Sequence, residues 1–240
     1  RDVLDARALS PPEPHSRVAA VVLGSDQGMC GQFNARIAEF AAQKLAEAPR
    51  DPGPLLLAIG MRAAAELESG DQQPADARTL PGSVAEINDR VQELVLTISR
   101  WREAQGARRV WLFHHRPLSG ASYEPHFVQV LPLDAQWLES LRAKPWPGPT
   151  LPTFTMRRGA IFAALVRQFL FAALYQGMAA SMAAENAARL AAMQAAEKNV
   201  EERLDELTTR YHQRRQTAIT EELLDVTAGF EVLGQDESAA

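Results

Sequence analysis

From about Thr155 to Leu233 the chain contains no proline, and its apolar residues recur at helical spacing. A continuous helix over that stretch is on the order of 120 Å long at about 1.5 Å per residue. That is more than one globular core can cover. Such a rod must pack along another helix or sit inside a partner.

The spacing within the rod says how it packs. Leu190, Met193, Glu197, Val200, Leu204, Leu207 and Tyr211 follow alternating steps of three and four; the seam then shifts and resumes at Ile219, Leu223, Val226, Phe230 and Leu233. A sustained stripe of this kind specifies coiled-coil packing. Glu197 weakens it locally. No other segment approaches the length a partner helix needs, so the seam is expected to stay unsatisfied within this chain.

Two Pro-rich stretches lie upstream. One is Ser10-Pro11-Pro12-Glu13-Pro14; the other runs from Pro145 to Pro152. Proline fixes φ and disfavours helix in the residue before it, so both read as extended linkers. The expected organisation is a linker over 1–16, an α/β domain over 17–144, a Pro-rich linker over 145–154, the long helix over 155–233 and a flexible tail over 234–240.

The middle alternates strand and helix signals. Val18 to Leu23, Leu55 to Ile59 and Val110 to Phe113 are apolar runs of strand length, and Phe127, Val128, Val130 and Leu131 suggest a fourth. Between them, Ile37, Phe40, Ala41 and Leu45 mark one helix, and Ile87, Val91, Leu94, Ile98 and Trp101 another. Ser83 and Glu86 have the spacing of a capping box. This order predicts an α/β fold: a Rossmann-like open, mainly parallel sheet flanked by helices, followed by one very long coiled-coil helix.

No active site is visible. The net charge of −5 gives no global reason to expect nucleic acid. Gly24 to Asn34 follows a strand and opens a helix, where phosphate loops sit, yet it matches neither the dinucleotide nor the Walker glycine pattern. Asp26 would repel a phosphate. On the residues alone the segment reads as a tight turn with Asn34 capping the helix. Cys30, the single cysteine, reads as a small buried hydrophobe. His114 and His115, adjacent at a strand end, point to opposite faces and cannot form a metal pair. No cofactor is implied.

Arg210, His212, Arg214 and Arg215 form a basic collar on the rod, which on charge pattern alone is a solvated face with pairs to Glu206 or Glu222. Glu185 and Arg189 form an i,i+4 pair. Arg1 to Arg17 lacks the apolar core of a secretory signal. Ile161 to Tyr175, the most apolar window, is interrupted by Arg167 and Gln168 and falls short of a membrane span.

Three separated motifs carry a resemblance. Ser25-Asp26-Gln27-Gly28-Met29-Cys30-Gly31-Gln32-Phe33-Asn34 resembles the Ser-Asp-x-Gly-Leu-Cys-Gly-Gly-x-Asn signature of ATP synthase gamma subunits. The stretch Ser181 to Met193 is similar to that family's Ser-Glu-x-Ala-Ala-Arg-Met-x-Ala-Met helix. Tyr211 to Leu223 resembles its Tyr-Asn-x-x-Arg-Gln-x-x-Ile-Thr-x-Glu-Leu ending. The order is the family's, and the match takes in Arg17 to Leu233. Met29 stands for the signature's Leu and Gln32 for its second Gly. The family's N-terminal helix is not found before Arg17.

The resemblance implies a rotor that binds no substrate and transmits torque. The family's terminal helices pair inside a hexamer of alternating alpha and beta subunits, and its α/β domain sits beside the epsilon subunit and the c-ring. By resemblance the partner contacts are Arg214, Arg215, Gln216, Ile219 and Glu222, with Glu185 and Arg189 as the mid-helix pair. Ser25, Asp26, Gly28, Cys30, Gly31 and Asn34 are the signature positions. The implied location is the cytoplasmic face of a bacterial inner membrane, peripheral through the complex and without a span of its own. Two other readings are an α/β nucleotide-binding enzyme domain using the Gly28–Gly31 loop, and a coiled-coil structural adaptor of another assembly.

Overall fold

The computed structural model describes residues 16–49, 51–119, 122–145, 148–150, 153 and 155–237, with 228–237 as backbone. The linker at Ser10–Pro14, much of the second Pro-rich stretch, the side chains of Phe230 and Leu233, and the tail beyond 237 lie outside the described residues.

The chain divides into two units, Arg1–Ala192 and Met193–Ala240. In the first, β1 (Arg17–Leu23), β2 (Leu55–Ile59), β3 (Asp76–Arg78), β4 (Ala107–Pro117) and β5 (Tyr123–Leu131) form one sheet in the order β3-β2-β1-β4-β5. β1 runs parallel to both β2 and β4, β2 runs parallel to β3, and β5 returns antiparallel along β4. The expected parallel layer is therefore present, and the fourth expected strand is an antiparallel edge that begins at Tyr123. β3 is polar and three residues long, which left it without an apolar signal.

The central strands are apolar on both faces because both faces are covered. Ala19, Val21 and Leu23 share a core with Leu55, Leu57 and Ile59 of β2 and with α3 (Ile87–Ala104). Val18, Ala20 and Val22 face the opposite way, toward α1 (Phe33–Leu45) and α2 (Met61–Ser69). The Ser83–Glu86 signal takes a different form from a capping box. The residues Val84–Glu86 make a 3-10 turn before α3, and Glu86 accepts from the Ser83 hydroxyl at 3.1 Å and from the Gly82 N–H at 2.9 Å. A short helix, α4 (Ala135–Ala143), is capped by Asp134, whose carboxylate accepts from the Gln136 N–H at 2.9 Å.

The long helix is α5 (Arg158–Glu237). It starts three residues after Thr155 and continues past Leu233. Its Val166, Leu170, Leu174 and Met178 join the core shared with α3, so the first part of the helix belongs to the α/β unit. The approach is close at Gly177, where a Cβ would stand 2.7 Å from the Leu112 Cδ2. α5 also corrects the reading of its apolar window. It contains an 18-residue window of mean hydropathy 1.4, long and apolar enough to cross a membrane by length and composition, and a third of that window (33%) is buried. Within Met193–Ala240 the described residues are helical, and of residues 193–227 all but the half-buried Glu206 are exposed.

Candidate functional site

The Ser25–Asn34 loop lies between the end of β1 and the start of α1. Asn34 is not the helix cap: it is the second residue of α1, and the cap position is Gln32, which makes no side-chain capping bond. Instead Asn34 ties the loop to the helix. Its Oδ1 accepts from the Ser25 N–H at 2.8 Å, and its Nδ2 donates to the Ser25 hydroxyl at 2.8 Å. The hydroxyl in turn donates to the Gln27 carbonyl at 2.7 Å.

Asp26 has a structural task that the sequence did not reveal. Its carboxylate accepts from the Met61 N–H at the start of α2 and from the Leu80 N–H after β3, each at 2.8 Å. A carboxylate at a helix N-terminus satisfies a backbone donor that has no partner within the helix. Gly60, at φ +107°, lets the chain pass beside the Ser25 backbone, where a Cβ would come within 2.7 Å. Of the two departures from the family signature, Gln32 has φ −87°, a value that needs no glycine, while Met29 sits in the left-handed region at φ 60° and is 72% exposed. Cys30 is buried, as expected, within 3.6 Å of the Ser25 hydroxyl.

The two strand-end histidines face opposite sides, as read. His114 packs toward Gly177 of α5 and donates from Nδ1 to the His115 carbonyl at 3.0 Å. The His115 ring points to α1, donates from Nε2 to the Phe33 carbonyl at 2.8 Å, and lies against the Phe33 and Tyr123 rings. Burial lowers both: His114 falls below the ordinary imidazole range and His115 to about 4.

α5 closes over this end of the sheet. Ala184 and Ala188 form a small cluster with Cys30 and Phe33, with Tyr123 packed against it, and Ser181 is buried beside the Leu23 carbonyl. Glu185 accepts from Arg189 at 2.6 Å, which realises the expected i,i+4 pair in a partly buried setting. Desolvation raises the Glu185 carboxyl, nearby Asp26 adds to the rise, and Arg189 opposes it. These groups line a polar cleft of about 210 Å³ with Leu80–Gly82, Met182 and Asn186.

The C-terminal candidates are arranged differently. Arg210 pairs with Glu206 at 2.5 Å, while Glu222, Arg214 and Arg215 have no ion pair among the described residues. Arg214, Arg215, Gln216 and Glu222 are exposed. The seam is exposed as well: Val200, Leu204, Leu207 and Tyr211 are each 57–61% exposed, Ile219 48% and Leu223 64%. The structure therefore brings Asp26 of the signature into one cleft with Glu185 and Arg189, and leaves the collar and seam open.

Comparison with known proteins gives this arrangement a family. The ATP synthase family model matches residues 2–233, reaching upstream of Arg17. The ATP synthase gamma chain of Synechococcus elongatus is 30% identical over 243 residues, covering 90% of this chain and 75% of the relative. The chain belongs to the ATP synthase gamma-chain family. The gamma chain of Nitrosomonas europaea is 27% identical, over 89% of this chain and 73% of that one. Among solved structures, a chain of the Euglena gracilis mitochondrial ATP synthase matches with a TM-score of 0.61 at 16% identity, covering 95% of this chain and 78% of its own. A chain of the Tetrahymena thermophila mitochondrial ATP synthase central stalk matches at 0.57 and 18%, covering 78% and 79%. At those identities the likeness is one of fold.

A gamma chain is a subunit of an enzyme complex, peripheral to the membrane. Within this gamma-chain fold Ser25, Asp26 and Asn34 of the signature loop direct their polar groups onto the loop's own neighbours. The sequence alone missed Asp26 and His115 as ties, because their partners lie 54 and 82 residues away.

Proposed function

We propose that this chain is the central rotor of an F-type ATP synthase, turning within a hexamer of alternating alpha and beta subunits and coupling ion flow through a c-ring to ATP synthesis or hydrolysis. It takes no part in the chemistry itself. The observation that carries the reading is the open seam of α5, from Leu190 (59% exposed) to Val226 (53%), in a chain of the gamma family. An apolar stripe of that length left to water stabilises nothing in the isolated chain and has its use in a complex. Arg215, with Gln216 beside it, is placed to make charge-assisted hydrogen bonds to beta-subunit carboxylates. The α/β unit meets the epsilon subunit and the c-ring, and the chain holds to the cytoplasmic face of a bacterial membrane through them, without a span of its own.

The nucleotide-binding reading has less support. Asn34 occupies the Ser25 N–H, and α5 packs Ala184 and Ala188 against the loop where a phosphate would lie. Co-expression of a tagged chain with the alpha and beta subunits tests the proposal. Recovery of a hexamer holding one copy supports it, and recovery of the tagged chain alone, with saturable nucleotide binding, overturns it.

A further inference from the structure

The pairing of β4 with β5 sets His114 directly opposite His126, so both side chains leave the sheet on one face, the face over which α5 passes at Gly177. Their rings stand 5.3 Å apart between centroids, with planes 77° apart. Each ring has a nitrogen available. The Nδ1–H of His114 donates to the His115 carbonyl at 3.0 Å, which fixes the tautomer and leaves the Nε2 lone pair without a hydrogen bond among the described residues. Neither ring nitrogen of His126 has a hydrogen-bond partner among the described residues. An imidazole whose second nitrogen donates to a backbone carbonyl is held as metal-binding imidazoles are held. Burial, with smaller contributions from His126 and Arg116, keeps the His114 pKa below the ordinary range against the opposing His115 carbonyl, so the ring is neutral and able to coordinate.

We propose that His114 and His126 together bind a divalent transition-metal ion of the kind that prefers imidazole, such as zinc, between β4 and β5. The spacing suits it. With about 2.1 Å from metal to nitrogen and about 1.1 Å from nitrogen to ring centre, two imidazoles on a tetrahedral ion have centroids about 5.2 Å apart. Imidazole suits zinc, copper and nickel, whereas magnesium and calcium take oxygen. No three His, Cys, Asp or Glu side chains are grouped to hold a metal among the described residues, so water completes the coordination and the ion is an exchangeable one. His126, half-buried on the edge strand, gives the pair its access to water. The next pair along this face, Arg116 and Glu124, is matched in charge and sets no net charge beside the ion. Bound there, the ion ties the edge strand to β4 beneath α5 and stabilises the folded chain by binding it in preference to the unfolded one.

The test uses the full chain, titrated with Zn2+ by calorimetry and with Cu2+ for electron paramagnetic resonance, which counts the imidazole nitrogens on the ion. The expected result is one ion per chain carrying two imidazole nitrogens. In His126→Ala and in His114→Gln the affinity should fall at least tenfold and one nitrogen should be lost from the spectrum. His212→Gln, at an exposed histidine of the rod, is the control and should bind as the wild type does. The urea midpoint should rise with Zn2+ in the wild type and the control, and stay fixed in His126→Ala. If the buried His114→Gln fails to fold, His126→Ala decides alone, since His126 is only half-buried. Absence of saturable binding, binding undiminished in His126→Ala, or a wild-type spectrum with a single imidazole overturns the inference. These measurements need no other subunit, so their outcome is independent of the rotor reading.

Discussion

The Nε2 of His115 lies 2.8 Å from the carbonyl oxygen of Phe33, joining β4 to the first residue of α1 across 82 positions of sequence. A carbonyl only accepts, so Nε2 carries the proton. Nδ1 is buried without a hydrogen-bond partner among the described residues. A second proton would have to enter at Nδ1, where burial opposes it most, His114 and Arg36 add to that, and the backbone of Glu124 offsets it only in part.

Stability should therefore fall with acid in a defined window. Burial holds the folded His115 at about 4 against 6.5 for the free ring, so below 6.5 the unfolded chain binds the extra proton and the folded one does not. Stability is then full above 6.5 and declines as pH falls toward about 4. Urea midpoints measured across this range should follow that curve. In His115→Gln the decline should shrink, with the remainder coming from His114, which burial shifts in the same direction. A decline of unchanged size in the variant removes His115 as its cause.

The loop should be intolerant of small changes. At Gly24 an added Cβ would stand 2.2 Å from the Ala63 Cβ and 2.8 Å from the Asn34 Oδ1, so Gly24→Ala should destabilise the isolated chain by ~1–3 kcal/mol. Asn34→Ala leaves the buried Ser25 N–H without an acceptor and should cost ~1–3 kcal/mol. Denaturant unfolding of each variant checks both values, and a loss below the error of the method in either would contradict the bracing described here.

The seam should behave in the opposite way. Leu204 and Leu207 are 57% and 58% exposed, so Leu204→Asp and Leu207→Asp should change the stability of the isolated chain by no more than ~0.5 kcal/mol. The same changes should reduce incorporation into the alpha–beta hexamer, read by co-purification. Substantial unfolding of the free variants would mean that the stripe is already covered.

At the collar, Arg215→Ala should leave folding and assembly intact, because Arg215 is exposed and has no ion pair among the described residues. Pumping driven by ATP in membranes carrying the variant should weaken relative to hydrolysis. Coupling equal to wild type would remove Arg215 from the beta-subunit contact.

How far the sequence went follows from the kind of force that shapes each element. β1, β2 and β4 were legible because strands covered on both faces must be continuously apolar. α5 was legible because a heptad stripe over many turns has few other meanings. β3 was not, since Asp76-Ala77-Arg78 is held by backbone pairing to Leu57–Ile59 rather than by burial. α4 escaped for a similar reason, having no buried residue. Asn34 illustrates a subtler limit. Its type suits a cap, yet its position one residue inside α1 turns the same amide toward Ser25. The motif gave Asp26, Phe33 and Asn34, but only the fold gave their partners, because Asp26 with Leu80 and His115 with Phe33 meet through the order of the strands.

Direct observation of rotation tests the rotor reading most closely. Cys30 is buried, so a cysteine introduced at exposed Glu103 of the α/β unit can carry a marker selectively, while the beta subunits fix the hexamer to a surface. Added ATP is expected to turn the marker continuously in one direction. A hexamer that hydrolyses ATP with this chain bound and its marker stationary would contradict the account.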